Sequence, residues 1–141
     1  MAQSDTRVAD NLSPRLSRFQ ICGALAYGAV LWFAAANLLR ELAPLGIYEG
    51  SARLWLYALI WPGTVPFVFL ARKLFALPRG LLGPAFAAAT ALATLLDGLA
   101  LAWWPALYGT DSAQVAGAAA TILWGAGTGM ALAFWFDRSA A

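Results

Sequence analysis

Polar and apolar residues follow one another in long blocks along this chain, with no short alternation. Four apolar runs, at residues 19–39, 54–71, 81–104 and 115–136, are separated by brief stretches rich in charge, proline or glycine. Phe19 to Leu39 holds 21 residues without a charge. As a helix it is ~31 Å long, enough to cross the hydrocarbon of a bilayer. Arg40 and Glu41 close this run, and Pro44 and Gly46 break the helix beyond it. Leu54 to Ala71 stops at Arg72 and Lys73 and contains Pro62, Gly63 and Pro66, so a kink or wide turn is expected near Trp61. Leu77-Pro78-Arg79-Gly80 is too short to hold a domain. Leu81 to Trp104 has Pro84 near its first turn, where a missing N–H is harmless, and leaves through Pro105, Gly109 and Asp111. Val115 to Phe136 ends at Asp137-Arg138. Runs of this length without period-two alternation do not suit a barrel. The pattern predicts an all-α fold, a four-helix transmembrane bundle forming one domain over residues 19–138. A polar tail, residues 1–18, precedes it, with Ser13-Pro14 as a candidate start of an interfacial helix.

Composition agrees. Of 141 residues, 62% are hydrophobic and 11% charged, against about 25% charged in soluble domains. Histidine is absent, which removes the commonest general base and metal ligand. The single cysteine, Cys22, allows no intrachain disulfide and no thiol cluster and is expected to be inert. No metal or cofactor is expected, and no basic patch with interleaved aromatics points to nucleic acid.

The distribution of charge sets an orientation. Arg7, Arg15, Arg18, Arg72, Lys73, Arg79 and Arg138 fall on one side, seven against only Arg40 and Arg53 on the other. The positive-inside rule then places both termini in the cytoplasm. Arginine and alanine usage suggests a GC-rich bacterial genome, and the expected location is then a bacterial inner membrane. Trp55, Tyr57, Trp103, Trp104 and Tyr108 would form an outer aromatic belt and Trp135 an inner one.

One acid, Asp97, interrupts the third run. A carboxylate near the centre of a membrane helix costs on the order of 3 kcal/mol even on a lenient insertion scale, so it needs partners. Asn37, Arg40 and Glu41 are spaced i, i+3 and i+4 and share a face at the outer end of the first helix. Asp97 is expected to face that helix, held by Asn37 or Arg40, as a clamp that fixes helix register. The competing reading makes Asp97 a proton or substrate site.

Small residues recur at four-residue intervals in the fourth run, at Gly117, Thr121, Gly125, Gly129 and Ala133. Such stripes let helix backbones approach closely. The third run has Thr90, Thr94, Gly98 and Ala102 at the same spacing, with Ala85, Ala89 and Ala93 leading to Asp97 on the adjacent face. Tight packing of these two helices is expected, with self-association or docking of another membrane protein as the alternative. Trp32, Trp61 and Trp124 lie nearer mid-span and are candidate lining for a lipid, quinone or pigment, although packing is the commoner role of such tryptophans.

The segment LLDGLALAWWPALYG, followed after a short gap by AAATILWGAGTGMAL, resembles the C-terminal half of an uncharacterised family of small bacterial four-helix membrane proteins. Arg40 closing the first helix, and Asp97 ahead of Trp103, Trp104 and Pro105, fit that family's pattern. The resemblance implies the fold and a pairing of Arg40 with Asp97, and brings no activity with it. Small multidrug exporters are similar in length and helix number but carry an essential glutamate in the first helix, where Phe19 to Leu39 has no acid. The leading functional expectation is a non-enzymatic membrane protein or accessory subunit, in contact with lipid and with another membrane protein or a second copy. A small proton- or cation-coupled transporter using Asp97 is the alternative. A lipid-acting enzyme, limited to Arg40, Glu41 and Asp97, comes last.

Overall fold

The computed structural model describes residues 15–139. Four α-helices, all long and apolar enough to cross a membrane, make up most of them: α1 (Arg18–Leu42), α2 (Gly50–Leu74), α3 (Leu82–Trp103) and α4 (Ser112–Ser139). Short 3-10 turns at Ala43–Leu45 and Pro105–Leu107 follow α1 and α3. The Ser13-Pro14 helix start falls outside the described residues.

Hydrogen bonds to backbone N–H groups mark the starts of three of the four helices. Ser17 and Gln20 form a reciprocal capping box at the start of α1, with each side chain bonded to the other's backbone N–H. Gly46 adopts a left-handed φ of 70° and turns the chain away. At the start of α4, Asp111 accepts a bond from the Gln114 N–H at 2.9 Å, as an N-cap does. The start of α3 is capped from a distance. The buried Asp137 carboxylate, near the end of α4, accepts the Gly80 N–H at 2.9 Å and the Gly83 N–H at 3.0 Å. A negative group at a helix N-terminus satisfies orphan donors and complements the dipole.

No wide turn forms at Trp61; α2 is helical through Pro62 and Pro66. Each proline leaves one carbonyl a turn earlier without its helical donor. Those are the Ala58 and Pro62 carbonyls, and side chains add bonds at two other carbonyls of the stretch. Thr64 Oγ1 donates to the Ile60 carbonyl at 2.6 Å, and Tyr27 Oη, from α1, donates to the Phe67 carbonyl at 2.9 Å.

The helices do not pack in chain order. α3 is central, packing most closely on α1 and then on α4, while α2 lies chiefly against α4. Gln20 Nε2 donates to the Phe75 carbonyl at 3.2 Å, and Asp137 reaches Gly80, so the start of α1, the end of α2, the start of α3 and the end of α4 share one end of the bundle. α1 and α3 therefore run parallel. Ala24 and Gly28 on α1 meet Ala85 and Ala89 on α3 so closely that a Cβ on Gly28 would fall onto the Ala89 backbone. A second apolar cluster, with Ala36, Leu39, Ala100, Tyr108 and Ala118, closes the other end.

Candidate functional site

Asp97 lies on the face of α3 that Ala85, Ala89 and Ala93 share at four-residue spacing, and that face packs on α1. The Pro105–Leu107 turn carries the chain back so that Tyr108, with no exposed surface, enters the same space. Its hydroxyl donates to Asp97 Oδ1 at 2.6 Å and accepts the Trp32 indole N–H at 3.2 Å. An indole nitrogen can only donate, so the one phenolic hydrogen is left for the carboxylate. The shorter bond lies in the charge-assisted range. Burial, and next the bond to Asp97, hold the Tyr108 phenol well above its ordinary value of 10.0, so it stays a proton donor. Trp32 from α1, Asp97 from α3 and Tyr108 from the turn thus form a closed polar chain inside apolar packing.

The expected partners of Asp97 are elsewhere. Asn37 Nδ2 donates to the Phe33 carbonyl of its own helix at 2.7 Å, and Arg40 and Glu41 are exposed. The reason is rotation and depth. The buried side of α1 carries Ala24, Gly28, Ala36 and Leu39, with Trp32 in the same line, and Asn37 and Glu41 turn away from it. Because α1 and α3 start at the same end and run in parallel, Asp97 comes level with Trp32, about two helical turns short of Arg40. The Arg40–Asp97 pairing implied by the family resemblance is likewise absent among the described residues. Tyr108, expected in the aromatic belt, is instead the buried donor, whereas Trp55, Trp103, Trp104 and Trp135 are exposed as a belt requires.

No family model, curated protein or solved structure matches the chain.

The stripe on α4 is used within the bundle. Gly117 lies against the Tyr48 ring, Thr121 and Ala133 are buried, Gly125 faces Ile60 of α2 and Gly129 faces the Phe86 ring of α3. On α3 the two small-residue faces part company. The Ala85–Asp97 face packs on α1, not on α4, whereas Thr94, Gly98 and Ala102 are exposed, with open space where a Gly98 Cβ would sit. Trp32 belongs to the polar chain. Trp124 stacks on Tyr57 at a centroid distance of 5.3 Å and donates its N–H to the Tyr57 carbonyl, and Trp61 is exposed. A cavity of about 570 Å³ opens between the first turns of α2 and α4, and a smaller void lies among Ala24, Tyr27 and Phe75. Neither is bordered by Asp97, Trp32, Trp61 or Trp124.

Several of these roles escaped the sequence reading. Ser17-x-x-Gln20 has the capping-box spacing, the signal that could have marked the start of α1. Asp137 reads as an ordinary end-of-span charge, because nothing local marks a carboxylate that serves a helix 54 residues away.

Proposed function

We propose that the chain is a non-enzymatic, multi-pass protein of a bacterial inner membrane, with both termini cytoplasmic, that packs as an accessory helix bundle against another membrane protein. The observation that carries this reading is the open small-residue face of α3, Thr94, Gly98 and Ala102, set beside the exposed Leu95 and Leu99. In lipid, helices associate by close van der Waals approach, and small residues permit it. The seven-to-two distribution of basic residues supports the orientation. Asp97 has an internal use as a clamp, and it borders neither cavity, so an Asp97-based carrier has less support.

Extraction from native membranes in a lipid-preserving polymer, followed by identification of co-purifying proteins, tests the proposal. A membrane protein that is retained by the natural chain and lost from a folded Gly98→Leu variant is the expected result. A monomer with no protein partner would overturn it. Flux through proteoliposomes abolished by Asp97→Asn would favour the carrier.

A further inference from the structure

The larger cavity differs from the rest of the helix surface. It opens at the end of the bundle opposite the start of α1 and the end of α4, between the turn after α1, the start of α2 and the start of α4. Its volume of about 570 Å³ falls in the range of small-molecule sites, roughly 300–1,000 Å³. Its wall combines both signs of charge with two aromatic rings: Glu49, Arg53 and Asp111 with Tyr48 and Tyr57.

These charges are not consumed by one another. Glu49 and Arg53 stand one helical turn apart, where a Glu-to-Arg pair would be favourable, yet neither forms an ion pair among the described residues. Glu49 also leaves the first turn of α2 without a side-chain cap, so the positive end of that helix dipole adds to the guanidinium. Asp111 Oδ1 accepts the Gln114 N–H, and its other oxygen is not used in that bond. The site therefore offers a cationic group and two carboxylates within one pocket, with two tyrosines in its wall. Beneath them the wall turns small, at Gly117 and Ala120, and continues down α4 beside α2. Exposed Trp55, Trp103 and Trp104 mark the same end of the bundle as the interfacial level.

We propose that this cleft binds the headgroup of a zwitterionic phospholipid, an ammonium joined to a phosphate, with an acyl chain following the α2–α4 groove. Arg53 takes the phosphate, and Glu49 and Asp111 take the ammonium. The proposal is independent of any protein partner on α3.

Native mass spectrometry of the full chain, released from detergent with added lipid, tests it. The probes are phosphatidylethanolamine, phosphatidylglycerol, which lacks the ammonium, and a dialkyl trimethylammonium amphiphile, which lacks the phosphate. Phosphatidylethanolamine should be retained about tenfold more tightly than either, the scale of one charge-assisted bond. Arg53→Gln and Glu49→Gln should each lower its retention about tenfold, bringing it toward that of the two single-charge probes. Both residues are exposed, so the variants should keep the fold, which circular dichroism checks. Ala120→Phe, which fills the cleft without touching a charge, should also reduce retention. Equal retention of the three probes, no retained lipid, or unchanged retention in the charge and Ala120 variants would each overturn the proposal.

Discussion

At the residue scale, the protein handles its one mid-span acid with a neutral donor. Arg40 is the obvious counter-ion in the sequence, but its side chain is out of register with Asp97 by about two turns. Tyr108 was visible as an aromatic near a span end, and nothing in the sequence distinguishes a tyrosine that floats at the interface from one that folds inward. The turn at Pro105–Leu107 makes that choice. A phenol whose pKa is raised in the folded state stabilises fully below its unfolded value, and that contribution is lost as pH rises toward the folded value. Stability should therefore fall as pH is taken above about 10, the ordinary tyrosine range, because the unfolded phenol ionises while Tyr108 keeps its proton. Denaturant titrations in mixed micelles at rising pH should show the fall, and Tyr108→Phe should reduce its steepness. An identical pH profile in the variant would contradict the assignment.

At the element scale, the four apolar runs, their polar ends and their lengths were legible, since each follows from consecutive residues. Which faces meet was not. The stripe on α4 was found because its glycines are dense, whereas Gly28 on α1, between Tyr27 and Ala29, has no such row of glycines around it, yet it brings α1 onto the Ala89 backbone of α3. Gly28→Leu should destabilise the fold by about 3 kcal/mol or more, the upper end of overpacking costs. Gly98→Leu, facing open space, should change it by less than about 0.5 kcal/mol. Unfolding of the two variants in the same micelle system gives the comparison, and equal losses would contradict the packing of α1 on α3. Asp137→Ala removes the acceptor of two backbone N–H groups and should cost about 1–3 kcal/mol. Amide exchange at Gly80 and Gly83 should quicken with it, and unchanged exchange there would argue against the cap.

At the scale of the whole molecule, helix count is fixed by composition and length, but the packing order is a tertiary choice that no single segment encodes. α3 sits between α1 and α4 because it presents two buried faces, Ala85–Ala89 toward α1 and Phe86 toward Gly129 of α4. The polar chain from Trp32 through Tyr108 to Asp97 then ties α1, α3 and the turn after α3 into one unit. Buried polar contacts of this kind resist sliding of one helix along another, because a shift of register would strand the carboxylate in hydrocarbon. The most direct measurement is a pair of double-mutant cycles on unfolding free energy, one combining Asp97→Ala with Tyr108→Phe and the other Asp97→Ala with Arg40→Gln. The expected outcome is a coupling of about 1–3 kcal/mol in the first cycle and additivity within about 0.5 kcal/mol in the second. Coupling confined to the Arg40 cycle would mean that the acid is held from the end of α1, and that the buried polar chain does not exist.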